Sequence, residues 1–290
     1  MRPSQFGKKV TEIFATEPES MFPLAFYEYF LREVKSRGIV TLTYDELFVD
    51  STDFNHESGF RDEFEKWTKQ SDPRRTYLLI QHDIDNYPYF TQRMVEMEMN
   101  VGIRTNIFMF VERASSTGAR PDYEVDHDFF VEAEKRGFVV GYHQNALSLV
   151  QDSLENAQAR YLSDVKQLRK VYKVKYVVPH GGRGFLIDGS LKHNFDVPIP
   201  DSLIGSLRWV YNKHGVTFHN RWSDGGLGKA RDQRRLENLD LVGRFLDSLR
   251  PGTRNFCLIH PQRWGTNVNP QANPFLGEMD WYKRVCREFL

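Results

Sequence analysis

Carboxylate and imidazole side chains follow apolar runs at four separate places in the sequence. They are Asp83 and Asp85 at "YLLIQHDID" (77–85), His143 at "FVVGYH" (138–143), His180 at "KYVVPH" (175–180) and His260 at "FCLIHP" (256–261). Imidazole and carboxylate together are the ligand set of Zn²⁺, and also suit Fe²⁺, Co²⁺ or Ni²⁺. A catalytic metal acidifies water and polarises a carbonyl, while a further carboxylate and histidine can move protons. The pattern therefore indicates metal-assisted hydrolysis of an acyl bond.

The apolar runs read as strands that alternate with amphipathic helices. Two further strands are predicted at "IRTNIFMF" (103–110) and "VTFHN" (216–220), and helical patterns include "YFTQRMVEMEMNVG", "DHDFFVEAEKRG" and "SLENAQARYLSDVKQLRKVY". This alternation predicts an α/β fold with a parallel sheet covered by helices. Ligands of such folds lie beyond the carboxyl ends of the strands, so the ionisable residues should converge there.

The amino-terminal part of the chain carries a separate pattern. Residues 26–48 read as helix, strand and helix, and we expect them to pack on the same core as an N-terminal extension spanning 1–75. Residues 50–75 are polar and turn-rich, which predicts a connecting segment. Because no repeat or low-complexity linker interrupts the chain, a single domain over 1–290 is expected, with its motif-bearing core at 76–265.

Composition excludes several classes of protein. Lys and Arg number 39, as do Asp and Glu, among 290 residues, so no overall field attracts nucleic acid. No apolar run is long enough to span a bilayer, and the first residues lack the apolar core of a signal peptide. The two cysteines, Cys257 and Cys286, do not form a metal-type pair. A cytoplasmic protein without a membrane span or nucleic-acid partner is therefore expected.

At this point the motifs resemble a known family. The order of motifs over residues 77 to 265 is similar to that of the polysaccharide deacetylases (the NodB-homology superfamily, carbohydrate esterase family 4), whose fold is a distorted (β/α) barrel. Their T-F-D-D-G motif resembles "HDID" (82–85), and their G-[IV]-[KR]-A-T-F-F strand resembles "VGIRTNIFMF" (101–110). Asp85 lies 17 residues before Gly102, at the spacing of the family's metal-binding aspartate. The resemblance implies that Asp85 binds the metal and Asp83 is the general base, although the two roles are exchangeable at this spacing.

Two further motifs of the resemblance concern the remaining ligands. The motif G-x-H-[ST]-x-x-H resembles "VGYHQNALSL" (140–149), which supplies His143 as a ligand but has Leu147 where the second histidine belongs. The motif R-P-P-[YW]-G resembles "VVPHGG" (177–182). His180 is therefore expected to replace the missing ligand, and the backbone near Gly181 to bind the oxyanion.

The last two motifs predict the acid and the substrate site. "NRWSDGG" (220–226) supplies Trp222 and Asp224, while "CLIHPQRW" (257–264) supplies Trp264 and His260, the residue that protonates the leaving group. Trp222 and Trp264 are predicted either to stack on sugar rings or to pack in the core. Asp224 is assigned to substrate binding, and Arg183 is predicted to orient a substrate carboxylate or the base, or else to be a solvated surface charge.

The resemblance implies a metal-dependent deacetylase. Its cofactor would be a divalent metal, zinc above all, and its substrate an amino-sugar glycan, or a precursor of one, in surface polysaccharide biosynthesis. One alternative is an allantoinase-like hydrolase of another C–N amide bond. The other is a degenerate homologue that binds glycan without catalysis, which Leu147 favours.

Overall fold

The structure is a computed structural model that describes residues 24–48, 59–114, 123–182, 184–210, 218–224 and 245–264. The helices are α1 (Leu24–Ser36), α2 (Tyr44–Leu47), α3 (Gly59–Gln70), α4 (Pro88–Val101), α5 (His127–Lys135), α6 (Ala146–Val150) and α7 (Leu154–Leu168). The strands are β1 (Val40–Leu42), β2 (Tyr77–Ile84), β3 (Asn106–Met109), β4 (Val139–Gln144), β5 (Tyr176–Pro179), β6 (Phe185–Ile187), β7 (Ser190–Lys192), β8 (Arg208–Trp209), β9 (Asn220–Ser223) and β10 (Arg254–Ile259). No helix in the described ranges combines the length and the apolar character needed to cross a bilayer.

A single parallel sheet organises the chain. Seven of its strands follow the order β8-β5-β4-β3-β2-β10-β9, β1 pairs with β2, and the sheet curls into a half-barrel. The strands β6 and β7 form a separate antiparallel hairpin. The predicted α/β fold with a parallel sheet and covering helices is thus confirmed.

Alternation along the strands divides the core into two layers. On the inner face of the sheet, Leu79, Phe108 and Val139 pack in one cluster with Phe256. The alternate strand residues point to the outer face. There Leu78 and Ile80 pack with α1 in one cluster, and Ile107 and Val140 pack with α7 in another. All eight residues of β2 are buried, as expected of a strand covered on both sides.

A glycine lets two inner strands approach each other closely. Gly141 is paired in register with Phe108. A Cβ at Gly141 would lie 2.4 Å from the ring of Phe108 and 2.9 Å from the carbonyl oxygen of Tyr176. The neighbouring strands β3 and β4 therefore require glycine at this position, two residues before His143.

The predicted helix, strand and helix at the amino-terminal side are found as α1, β1 and α2. The strand β1 lies parallel to the start of β2, with Val40 opposite Tyr77. The side chain of Asn106 links β1 and α2 to β2. It donates to the carbonyl oxygens of Leu42 (3.3 Å) and Ile80 (2.9 Å) and accepts from the backbone N–H of Tyr44 (2.7 Å). The elements α1, β1 and α2 therefore pack in the same core clusters as the strands of the sheet.

Two expectations about element positions were wrong. The supposed connecting segment 50–75 contains the helix α3, on which Phe64 is buried against Phe218. Its high content of charged residues reflects a single buried stripe on an otherwise solvated helix. The strand predicted at 216–220 is instead β9, whose pairing begins at Asn220 and buries Trp222; residues 216 and 217 lie outside the described residues.

Candidate metal centre

Three ligand-type side chains meet at the carboxyl edge of the sheet. Asp85 follows β2, His143 lies in β4, and His180 follows β5. Asp85 Oδ1 lies 3.2 Å from His143 Nε2 and 3.6 Å from His180 Nε2. One ligand atom from each of the three residues lies within 4.8 Å of the others. The predicted convergence of these strand ends is therefore present.

The ring of His143 is fixed in a ligand-ready orientation. Its Nδ1 lies 3.3 Å from the carbonyl oxygen of Val178, an acceptor that requires a protonated Nδ1. Burial alone would lower the pKa of His143, but the charge of Asp83 and the hydrogen bond and charge of Asp85 raise it, so that Nε2 donates to Asp85 Oδ1 at 3.2 Å. Phe110 stacks on the imidazole with ring centroids 4.9 Å apart and an interplanar angle of 4°. A carbonyl and an aromatic ring together hold the imidazole against the cluster.

His180 is held through its backbone. Its N–H donates to the carbonyl oxygen of Gln144 (2.7 Å), and its own carbonyl accepts from the side chain of Asn194 (3.2 Å). The ring meets those of Phe110 and His143 edge-on, with centroids 5.2 Å away in both cases. Burial lowers the pKa of His180 to about 4. The imidazole is consequently neutral near pH 7, which is the form that binds metal.

The carboxylate of Asp85 stays ionised. Burial alone would raise its pKa, but the hydrogen bond from His143 and the charges of His260 and His180 hold the pKa below its ordinary value. Gln262 Nε2 donates to the second oxygen, Asp85 Oδ2, at 3.0 Å. Oδ1 is thereby left facing the two imidazoles.

One carboxylate oxygen and two imidazole nitrogens fit a divalent cation. Asp85 is ionised and His180 is neutral, whereas a bound cation would displace the Nε2 proton of His143, whose pKa its aspartate neighbours raise. The side chains of His143 and Asp85 each have an orienting partner outside the cluster. Three protein ligands with a position left for water are typical of catalytic zinc, and the same donors suit Fe²⁺, Co²⁺ or Ni²⁺. We therefore assign Asp85, His143 and His180 as a candidate divalent-metal centre.

The second carboxylate of the motif, Asp83, has a different environment. It is 6% exposed, and its Oδ1 accepts a hydrogen bond from Gln81 Nε2 at 2.8 Å. Tyr44 in turn donates to Gln81 Oε1 at 2.8 Å. Burial raises the pKa of Asp83, although His143 and His260 oppose the shift. Its free Oδ2 lies 3.8 Å from His143 Nε2, beside the cluster but outside the closest set.

His260 and Asp224 form a charged pair on the other side. Asp224 is fully buried, and its carboxylate accepts from His260 Nδ1 (2.5 Å), from the His260 backbone N–H (2.7 Å) and from Trp264 Nε1 (2.9 Å). Burial alone would lower the pKa of His260, but the Asp224 charge and hydrogen bond raise it to about 9. Asp224 thus orients and charges His260, a correction to its predicted role in substrate binding.

The two tryptophans predicted to stack on sugar belong to the core. Trp222 is 7% exposed and Trp264 is 2% exposed, and their ring centroids lie 6.4 Å apart within one buried cluster. The core alternative therefore holds for both. Gly181 is exposed directly after His180, and within the described ranges its N–H makes no hydrogen bond. Arg183 lies outside the described residues.

Sequence reasoning missed several residues that shape the centre. Phe110, Gln81 and Gln262 position His143, Asp83 and Asp85, and Arg113 lies nearby. An aromatic or amide residue carries no pattern of its own that would reveal these roles. His82, between Gln81 and Asp83, faces the opposite side of β2, where its Nε2 lies 2.7 Å from Glu98 Oε1.

Neither a scan against protein-family models nor a search of curated proteins finds a match to the chain. The class defined by fold and site is a parallel α/β protein with a candidate divalent-metal centre at the carboxyl edge of its sheet.

Proposed function

We propose that this protein is a metal-dependent deacetylase that acts on an amino-sugar glycan or a precursor of one. The observation that carries the proposal is the flanking of the candidate metal centre by two proton-handling groups. Asp83 and the His260–Asp224 pair both lie close enough to influence the charge of Asp85 or His143. Hydrolysis of an amide needs a base and an acid beside one electrophilic site.

A divalent ion held by Asp85, His143 and His180 would supply Lewis acidity, which acidifies water and polarises a carbonyl. Asp83, with its raised pKa, accepts a proton from the attacking water as the new C–O bond forms. The N–H of Gly181 is available to donate to the developing oxyanion. His260, charged through Asp224, donates a proton to the departing nitrogen as the C–N bond breaks, and acetate and a free amine result.

The choice of an amino-sugar substrate rests on the family resemblance. The motifs at Asp83, His143 and His260 occur in the order found in the polysaccharide deacetylases, so the half-barrel is proposed to be of their NodB type. A precursor in surface polysaccharide biosynthesis is the substrate that this assignment favours. An allantoinase-like hydrolase would use the same base, acid and metal centre on a different C–N bond.

One observation bears on the alternative of a degenerate, non-catalytic homologue. Leu147, which stands where the family has a second histidine, is fully buried in the hydrophobic cluster that also contains Tyr142 and Tyr161. It contributes nothing to the centre, and His180 supplies a third ligand atom in its place. This replacement supports a catalytic protein over the degenerate homologue.

The direct test is release of acetate. Protein loaded with Zn²⁺ or Co²⁺ is incubated with N-acetylglucosamine oligomers and with UDP-N-acetylglucosamine, and acetate is quantified with and without a chelator. We expect metal-dependent release that Asp83→Asn strongly reduces, with Asp72→Asn, at a partly exposed aspartate paired with Arg74, as the control. Binding of the oligomers without release of acetate would support the degenerate homologue. Ring opening of allantoin to allantoate would support the other hydrolase.

A further inference from the structure

An arginine that sequence reasoning did not single out lies beside the candidate metal centre. Arg113 follows β3, three residues after Phe110, the ring that stacks on His143. Its charge acts on the pKa of both His180 and Tyr123, and the charges of Tyr87 and Asp85 act on its own. Because this segment follows the carboxyl end of β3, Arg113 lies at the same edge of the sheet as the ligands.

The segment that carries Arg113 is fixed on both sides. The backbone N–H of Phe110 donates to the hydroxyl of Tyr123 at 2.8 Å, and that hydroxyl donates to the carbonyl oxygen of Ile84 at 2.9 Å. Asn145 Nδ2 donates to the carbonyl oxygen of Glu112 at 2.8 Å. These bonds hold the loop against the ends of β2 and β4, so the backbone position of Arg113 is fixed.

The guanidinium is half-buried without an anion to pair with. Burial lowers its pKa, and across the described part of the chain no carboxylate lies within ion-pair distance of Arg113. Asp85, the carboxylate that acts on it, already accepts from His143 and Gln262. By contrast, Arg160 pairs with Asp164 at 2.7 Å and with Glu112 at 3.0 Å. A partly desolvated cation without a partner is costly unless a ligand supplies the anion.

We propose that Arg113 binds an anionic substituent of the substrate, a carboxylate or a phosphate, beside the scissile amide. The planar guanidinium matches either group with two parallel hydrogen bonds, which an ammonium cannot do. This inference rests on the proposed function and narrows its substrate to acidic amino sugars or sugar phosphates. Arg113 is thereby a specificity-determining residue, which touches the substrate away from the reacting carbonyl.

Calorimetric binding to the metal-loaded protein tests the inference. Three ligands share one amide and differ in charge: neutral N-acetylglucosamine, N-acetylglucosamine 1-phosphate and N-acetylmuramic acid. We expect Arg113→Gln to weaken binding of at least one anionic ligand by about 10- to 100-fold and to leave the neutral sugar unchanged. The anionic ligand whose affinity falls more identifies the substituent as a carboxylate or a phosphate. Arg113→Lys should show an intermediate loss, because charge is kept and the bidentate geometry is lost.

The matched control is Arg32→Gln, which removes an exposed arginine of α1 and should change no affinity. Equal weakening of neutral and anionic ligands by Arg113→Gln, or no weakening, would overturn the inference. The same measurements distinguish failure of this inference from failure of the proposed function. Selective loss of the anionic ligand in a protein that releases no acetate keeps the anion site and refutes the deacetylase, whereas acetate release with unselective binding does the opposite.

Discussion

His180 Nε2 lies 3.6 Å from Asp85 Oδ1, and this contact joins the end of β5 to the end of β2. Without it, Asp85 and His143 would offer a metal only two protein ligands. With it, the cluster reaches the three ligands that catalytic zinc normally has. Because Leu147 is buried away from the centre, His180 is the residue on which a complete ligand set depends.

Replacement of His180 by alanine should therefore weaken metal binding severely. Loss of a direct ligand should cost more than the roughly 10- to 100-fold seen when an outer partner is lost. Competition with a chromophoric chelator measures the affinity of Zn²⁺ for the variant. His127→Ala, which removes an exposed histidine that contacts Tyr172, is the control. Wild-type affinity in His180→Ala would contradict its assignment as a ligand.

The two aspartates of the motif should respond differently to the same substitution. Asp85→Asn should lower metal content, because a neutral amide is a poor ligand. Asp83→Asn should retain the metal and reduce turnover by roughly 10²- to 10⁴-fold, the effect of a lost general base. Metal analysis and acetate release on the same preparations separate the two effects. The reverse pattern would exchange the roles that the distances to His143 support.

The His260–Asp224 pair predicts a pH dependence of stability in the metal-free protein. Pairing raises the pKa of His260 to about 9, against about 6.5 for a free histidine. Between these values the folded chain binds more protons than the unfolded chain. The contribution is therefore complete below about pH 6.5 and is lost as pH rises through about 9.

Urea denaturation at a series of pH values measures this contribution. From about pH 6.5 to 9 the free energy of unfolding of the wild type should fall by roughly 1–3 kcal/mol more than that of His260→Gln. His219→Gln, at a histidine whose Nδ1 accepts from the Arg254 backbone outside the centre, should follow the wild type. Parallel curves for the wild type and His260→Gln would show that the pair does not hold its proton.

The sequence predicts the ionisable residues of the site better than the residues that orient them. Asp85, His143, His180 and His260 could be found because an ionisable group after an apolar strand is unusual, and parallel strands place such groups on one edge. The distinction between Asp83 and Asp85 could not be predicted, because it depends on hydrogen bonds from Gln81 and Gln262. Both residues lie within motif runs, but an amide side chain does not show in the sequence which carboxylate it contacts.

Burial accounts for the other differences. A tryptophan near a site motif can face either a ligand or the core, and only packing against Phe245 and Trp264 identifies Trp222 as a core residue. The helix α3 was not predicted because six of its twelve residues are charged, and they outweigh the apolar Phe64 and Trp67, three positions apart. In both cases the deciding contact is made with another part of the chain.

The most direct measurement for the central claim is the metal content of the purified protein, determined by inductively coupled plasma mass spectrometry. We predict about one divalent ion per wild-type chain and per chain of the control His127→Ala, and almost none in His143→Ala, whose imidazole lies closest to Asp85. Stoichiometric metal retained in His143→Ala, or none bound by the wild type after incubation with Zn²⁺, Co²⁺, Fe²⁺ or Ni²⁺, would contradict the account.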